Sequence, residues 1–305
     1  MKLFVMDRIR LCRVIFKHIK NPFGAILFRL NLIKEYECRF KNNESILINE
    51  SLINESRVLG CIIQSLVFTN QFDVEGFKKF LKQYNQEIVN VGSVKYHNEH
   101  KFSFFGIADD FFGNDYYVEE TNGGGVSHVI VDVGASVADS SLYFASKGYK
   151  VIAFEPLTEV YNLAKENINL NPHLKDNITL VKKAVSDKKG QLTIYYDSIE
   201  ETGSASSFTS GTKFQEEVDV TTITDILEEH NISNPYLLKM DCEGAESDII
   251  LNTDLSMFEK IYLEYHTIFN NVKWQVLVDK LEKEGFQLDK RVGNSESGIV
   301  HLSRK

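Results

Sequence analysis

The chain has 305 residues, 43% hydrophobic and 25% charged, which predicts a soluble globular protein with one large domain or one domain plus an extension. Its net charge of −9 argues against nucleic-acid binding as the main task. The four cysteines show no metal-binding or redox spacing, which fits reduced thiols in a cytoplasmic protein. No stretch reaches the roughly 18 consecutive apolar residues of a spanning helix. The N-terminus has no features of a signal peptide.

The N-terminal part is predicted to be a mixture of helices and a hairpin. Residues 3–20 form an amphipathic basic helix that either packs on its own domain or touches a membrane surface. A short helix over 22–33 and a hairpin turning at Asn42–Asn43 follow. A surface helix is expected over 73–84. We place a boundary near residue 125, after the helix-breaking run TNGGG.

The aromatic stretch 103–117 has two interpretations. It either covers an edge of the sheet or forms a wall of the substrate site. Together with the polar loop 203–211, it is where contacts with a substrate are expected. Neither segment identifies the substrate, and the sequence does not predict an oligomeric state.

From residue 128 onward, strands and helices alternate. The run HVIVDVGASVADSSLYFASKGYKVIAFEP reads as strand, glycine turn, helix and second strand. Later strands are NITLVKKAV, YLLKMD and KIYLEYH, and FQLDKRV and GIVHLSR form a final antiparallel pair. Residues 126–305 therefore predict an α/β fold with a doubly wound, mostly parallel sheet.

Four acidic residues follow or end consecutive parallel strands, namely Asp132, Glu155, Asp241 and Glu264. Ligands of such sheets bind outside the carboxyl ends of the strands, so the four carboxylates are expected around one crevice. Because like charges repel, a cation, hydroxyl groups or backbone N–H groups must occupy the space between them.

The turn at Gly134 distinguishes two nucleotide cofactors. A dinucleotide site needs G-x-G-x-x-G, but the chain has G-A-S-V-A-D, with Ser136 at the second glycine position. Asp139 at the helix end would also oppose a pyrophosphate. S-adenosylmethionine carries no phosphate, but has an ammonium group, a sulfonium and a ribose diol. The residues therefore favour S-adenosylmethionine over NAD.

Six motifs in order resemble the FkbM-type S-adenosylmethionine-dependent methyltransferases, over roughly residues 128–270. They are DVGASVADSSLYFA, VIAFEP, KENINLN, KKAVSDKKG, LLKMDCEGAE and IYLEYH. The resemblance implies a Rossmann-like methyltransferase sheet and S-adenosylmethionine as the cofactor. The chain departs from the family at Ser136 and Ala138, where Asn and Gly are usual.

The resemblance also implies roles for individual residues. The cofactor-binding residues would be Asp132, Gly134, Ala135, Ser136, Glu155, Pro156, Ala184, Val185 and Ser186. Asp241, Glu243 and His266 are the candidate catalytic residues, of which one would act as base. Asp241 could instead hold the cofactor, or a divalent cation with Glu243 and Glu264, but no metal is assigned.

The implied reaction is O-methylation of a hydroxyl group on a sugar, a glycan or another natural product. Two alternatives stay open. One is an NAD-binding oxidoreductase. The other is a degenerate, non-catalytic methyltransferase-like binding module.

Overall fold

A computed structural model describes residues 16–29, 35–49, 55–98, 102–121, 128–196, 213–267 and 271–305. Most of the predicted basic helix over residues 3–20 lies outside this range, as does the loop 203–211. The part of that helix within the range is helical at residues 16–18. Within the described residues no helix is both long and apolar enough to cross a bilayer.

The N-terminal part contains the predicted helices and hairpin. In chain order its elements are α1 (Pro22–Arg29), β1 (Glu35–Arg39), β2 (Ser45–Asn49), α2 (Glu55–Phe68), α3 (Val74–Leu81), β3 (Ile88–Val91), β4 (Val94–His97) and α4 (Phe102–Ala108). A π-helical turn, Asp109–Gly113, continues α4. β1 and β2 pair antiparallel across the predicted turn. The hairpin of β3 and β4 was not predicted, because polar residues interrupt its short apolar runs.

The C-terminal part alternates strands and helices as predicted. Its strands are β5 (Val129–Val133), β6 (Lys150–Phe154), β7 (Ile178–Val181), β8 (Ala184–Val185), β9 (Gly190–Tyr196), β10 (Phe214–Thr221), β11 (Leu237–Met240), β12 (Lys260–His266), β13 (Phe286–Gly293) and β14 (Ser297–Arg304). Its helices are α5 (Asp139–Ser146), α6 (Thr158–Asn169), α7 (Ile223–Glu229), α8 (Glu246–Asn252) and α9 (Trp274–Lys283).

Among the described residues, seven strands form the central sheet in the order β13-β14-β12-β11-β5-β6-β7. The five strands from β12 to β7 are parallel, and the last two are antiparallel. The predicted doubly wound, mostly parallel α/β fold is confirmed. Because β12, β11, β5 and β6 are neighbours, the chain segments that follow them meet at one edge of the sheet.

The predicted third strand, NITLVKKAV, is wrong as a single element. β7 ends at Val181, and the backbone N–H of Lys183 donates to the Val181 carbonyl in a tight turn. β8 then leaves the central sheet and pairs with β10, which also pairs with β9. Lys182 and Lys183 interrupt the apolar run at this point, where the chain passes from one sheet to the other.

The N-terminal part packs on one face of the central sheet. Phe104 and Tyr116 belong to the same hydrophobic cluster as Ile130 and Leu142. The side chain of Asn167 on α6 also accepts a hydrogen bond from the backbone of β4, over 2.8 Å. The predicted boundary near residue 125 falls among residues outside the described range, and the division into two domains stays a prediction.

Candidate active site

The turn after β5 requires glycine at position 134. Gly134 has φ of +77°, and a Cβ placed there would lie 1.7 Å from the carbonyl oxygen of Asp241. The N–H groups of Gly134 and Ala135 both donate to the carbonyl of Phe154, over 3.1 and 2.9 Å. The turn therefore lies between the ends of β6 and β11, with no room for a side chain at its first position.

Two further residues of the turn have left-handed backbone conformations. Ser136 has φ of +48° and Ala138 has φ of +66°. Residues with a Cβ avoid this region, at a cost of about 1–2 kcal/mol each. Ala138 directly precedes α5, and its side chain gives the helix no cap. Asn and Gly, which the resemblance leads us to expect here, both tolerate this conformation better.

Asp132 is fully buried and its carboxylate has partners inside the protein. Its Oδ2 accepts hydrogen bonds from the hydroxyls of Ser140 and Ser141, over 2.8 and 2.6 Å. The ammonium group of Lys239 lies 3.1 Å from its Oδ1. Asp132 therefore anchors α5 and β11 beneath the turn. No face of it is open to a ligand, since its exposed fraction is 0%.

Lys239 is the residue that sequence reasoning missed. It lies in the middle of β11 with 2% of its surface exposed, and its Nζ also donates to the carbonyl oxygen of Gly134 over 2.6 Å. Burial alone would lower the pKa of Lys239, but Asp132 and other carboxylates nearby raise it, so the side chain is charged. Because Lys239 supplies a positive charge among these acids, the four carboxylates do not by themselves require a positively charged ligand. The detectable signal was a lysine inside the apolar strand YLLKM.

Glu155 is held at the other side of the turn. Its Oε2 accepts from the N–H of Ser136 over 3.1 Å, and its Oε1 accepts from the N–H of Leu157 over 2.9 Å. Burial raises its pKa to about 8, against the effect of these two hydrogen bonds. Pro156 follows directly in the chain. Glu155 is thus an oriented carboxyl group, suited to accept hydrogen bonds from hydroxyls.

The predicted adenine-side residues are partly brought to the turn. Ala184 on β8 shares a hydrophobic cluster with Val137 of the turn and Leu157. Val185 packs instead in the core beneath the central sheet. The N–H of Ser186 donates to the carbonyl of Thr221 over 3.0 Å, at the end of β10. The structure thus places Ala184 beside the turn, whereas Val185 faces away from it.

Beyond β11, a tight loop carries two of the candidate catalytic residues. Glu246 is buried, and its carboxylate accepts from the N–H groups of Cys242 and Gly244 over 2.6 and 2.7 Å. Glu243, between them, has φ of +52°. Its Oε2 lies 3.7 Å from Nδ1 of His266. The loop thereby brings Glu243 to the end of β12.

Asp241, Glu264 and His266 form a cluster at this edge. Nε2 of His266 lies 3.5 Å from Oε1 of Glu264. The hydroxyl of Tyr116 is 3.3 Å from Oδ2 of Asp241 and 3.4 Å from Oε2 of Glu264. Tyr116 comes from the aromatic stretch of the N-terminal part, and its ring also lies 5.2 Å from the Lys239 ammonium. That stretch therefore both covers the sheet and contributes a polar group to the site.

Burial and mutual repulsion separate the protonation behaviour of these groups. Burial, followed by the charge of Glu264, raises the pKa of Asp241 to about 7. Burial would lower the pKa of His266, but its hydrogen bond with Glu264 and its nearness to Glu243 raise it to about 9. Burial raises the pKa of Glu243 to about 9. Burial would also raise the pKa of Glu264. The hydrogen bond with His266 acts against burial, and the pKa of Glu264 lies below its ordinary value.

The same cluster offers ligands that a divalent cation accepts. One donor atom each from Asp241, Glu264 and His266 lie within 4.8 Å of one another. A protonated His266, however, already places a positive charge between the carboxylates. A cation would have to displace that proton, because only the neutral imidazole binds a metal. We therefore keep the prediction that assigns no metal to this site.

One family model matches this chain. Residues 132–288 match the model of the methyltransferase FkbM domain. Among curated proteins, no sequence matches the chain. Similar solved structures include a methyltransferase FkbM from Methylobacillus flagellatus KT, with 13% identity over 81% of this chain and 59% of that chain and a TM-score of 0.43. Another is a precorrin-6y C5,15-methyltransferase from Geobacter metallireducens GS-15, with 14% identity over 63% of this chain and 84% of that chain and a TM-score of 0.35.

Proposed function

The chain belongs to the FkbM methyltransferase family, and on this premise we propose that it transfers the methyl group of S-adenosylmethionine to a hydroxyl group of a sugar, a glycan or another natural product. The observation that carries the proposal is the position of Asp241. Asp241 is partly exposed, the pKa of its carboxyl group is about 7, and its backbone carbonyl oxygen lies next to Gly134 in the turn. A base is thereby available next to the turn where the donor would bind.

The residues around the turn fit the donor. Gly134 leaves the backbone uncovered, and two backbone N–H groups orient the carboxyl group of Glu155. Glu155 would accept hydrogen bonds from the ribose hydroxyls, and Ala184 would line the adenine side. When bound, S-adenosylmethionine supplies a methyl group that its sulfonium already activates for attack by a nucleophile. Asp132 and Lys239 would hold the shape of this turn without touching the donor.

The second half of the site would handle the proton. A hydroxyl is a weak nucleophile at neutral pH, and a base that accepts its proton contributes about 10²–10⁴-fold to the rate. Asp241 is the group whose pKa of about 7 suits this task. His266, with a pKa of about 9, is protonated at neutral pH and would keep Glu243 and Glu264 in place. We therefore assign the base to Asp241, and a positioning role to His266.

The test is a methyl-transfer assay with labelled donor on a panel of sugars and glycolipids, with mass spectrometry to locate the methyl group. Transfer to oxygen, with donor binding measured by calorimetry, is the expected result. Transfer to nitrogen or carbon would contradict the proposed O-methylation. Binding of NADH in place of the donor would favour an oxidoreductase. Donor binding without transfer to any member of the panel would favour a non-catalytic binding module.

A further inference from the structure

Two carboxyl groups from different parts of the chain lie next to each other at the start of α5. Asp139 is the first residue of that helix. A Cβ added to Gly106 on α4 would lie 2.6 Å from Oδ2 of Asp139, so the two helices touch at this point. Asp110 follows Gly106 by about one helical turn and lies on the same side of α4 and its π-helical continuation. Asp110 therefore faces Asp139.

The two carboxyl groups differ in their surroundings. Asp110 is 4% exposed, and among the described residues no hydrogen-bond donor reaches its carboxyl group. Asp139 is partly exposed, and its Oδ1 accepts from the N–H of Ser140 over 3.1 Å. A buried carboxylate without a hydrogen bond is costly. Asp110 thus has carboxyl oxygens that can still accept hydrogen bonds, beside the partly exposed residue Asp139.

Charges in this region are not balanced within the described residues. Asp139, Asp115 and Asp132 all act on Asp110, after burial itself, to raise its pKa. Lys239 lowers the pKa of Asp110, but its ammonium group is already engaged with Asp132 and the carbonyl of Gly134. A further positive charge next to Asp110 and Asp139 would therefore offset the repulsion between the two carboxyl groups.

The pair lies directly after the turn that would bind the donor. α5 follows the turn at Gly134, so a donor whose ribose is bound at Glu155 would have its methionine end near the first residue of this helix. That end carries an ammonium group and a carboxylate. The N–H groups at the start of α5 suit the carboxylate. An ammonium group has three donors and no acceptor, and thus suits a pair of carboxylates.

Building on the proposed function, we propose that Asp110 and Asp139 bind the α-ammonium group of the methyl donor. Asp110 precedes residues 132–288, the part that matches the family model. The N-terminal part would then complete the donor site as well as covering the sheet. The competing explanation is a proton shared between the two carboxyl groups, with no ligand involved.

The test compares two ligands on the full chain by calorimetry. S-adenosylmethionine carries the ammonium group, whereas 5′-methylthioadenosine keeps the nucleoside and the sulfur but lacks the amino-acid part. For Asp110→Asn we expect the Kd for S-adenosylmethionine to rise about tenfold or more, since charge-assisted hydrogen bonds are the strong ones. The Kd for 5′-methylthioadenosine should stay within about twofold. Asp109→Asn, which removes a carboxyl group from the same turn, is the matched control and should change neither.

An equal loss for both ligands, or no loss for either, would overturn this inference and favour the shared proton or a structural role. Asp139→Asn should show the same selective loss, which gives a second route if Asp110→Asn folds poorly. A wild-type protein that binds neither ligand would refute the proposed function itself. A wild-type protein that binds both equally tightly would refute only the role of the carboxyl pair.

Discussion

The ammonium group of Lys239 joins β11 to the turn after β5, because it donates to the carbonyl oxygen of Gly134 over 2.6 Å. The same group lies 3.1 Å from the buried carboxylate of Asp132. One cation on β11 thus binds two groups of the neighbouring segment, the side-chain carboxylate of Asp132 on β5 and the backbone carbonyl of Gly134 in the turn. The conformation of the turn depends on this contact as well as on its own sequence.

We expect Lys239→Met to destabilise the protein by about 3–5 kcal/mol, because it leaves the Asp132 carboxylate buried without its counter-charge. The free energy of unfolding, measured with urea, is the readout. Lys239→Met combined with Asp132→Asn removes both charges and should recover a substantial part of the loss. A single variant within about 1 kcal/mol of the wild type would contradict the role of this ion pair.

The order of strands and helices in the C-terminal part could be predicted because buried parallel strands are apolar runs with abrupt ends. Glu155 and Asp241 come directly after such runs. Because the strands before them are parallel members of one sheet, the topology alone predicts that both residues lie at the same edge of the sheet. The partners of the acids could not be predicted in the same way. Lys239 reads as an interruption of an apolar strand, and only the register of β11 against β5 shows that it lies opposite Asp132.

We expect Glu155→Ala to abolish measurable donor binding while the protein stays folded. Two backbone N–H groups orient the carboxyl group of Glu155 at the turn, where it would accept hydrogen bonds from the donor. Calorimetric titration with S-adenosylmethionine measures the loss, and circular dichroism checks the fold. Glu155→Gln keeps one oxygen acceptor and should retain weakened binding. An unchanged Kd in Glu155→Ala would remove this residue from the donor site.

We expect Tyr116→Phe to lower kcat about tenfold and to leave the Kd of the donor unchanged. Its hydroxyl contacts both Asp241 and Glu264, and a hydrogen bond to a charged group contributes about 1.5–3 kcal/mol. The ring that covers Lys239 would remain. Tyr117→Phe is the control, because the Tyr117 side chain is 39% exposed and should be neutral. A donor Kd that rises in parallel with the loss of kcat would indicate a structural effect instead.

The contact of Tyr116 with the acids of the candidate site could not be predicted from the sequence. The aromatic stretch 103–117 allowed either a cover for the sheet or a wall for the substrate, since aromatic composition fits both. In the structure the stretch covers the sheet and brings one hydroxyl to the candidate site, and its contact with a substrate stays a prediction. Phe104 and Phe112 are buried in the core, whereas the hydroxyl of Tyr116 reaches two acids that lie more than a hundred residues later. Contacts between residues so far apart in the chain produce no local periodic pattern in the sequence.

We expect Ser136→Asn to stabilise the protein by about 0.5–1 kcal/mol. Ser136 has φ of +48°, a conformation that Asn tolerates better than Ser. Urea denaturation measures the change. Ser136→Ala keeps the strained backbone and should bring no gain, so it serves as the control. Destabilisation by Asn would show that its larger side chain clashes with the turn, and would contradict strain as the dominant effect.

We expect Asp241→Asn to lose turnover by about 100-fold or more while the donor still binds, and the pH profile to identify the reason. A base acts in its deprotonated form, so wild-type kcat should rise with pH and reach half its plateau near the Asp241 pKa of about 7. If His266 were the base, the midpoint would lie near its pKa of about 9, and Asp241→Asn would keep that rise. Turnover of Asp241→Asn at the wild-type level would exclude Asp241 as the base. The expected result is that the midpoint near pH 7 disappears in Asp241→Asn while the Kd of the donor stays unchanged. This result would distinguish proton transfer at Asp241 from an effect on the fold, because loss of the fold would weaken donor binding at every pH.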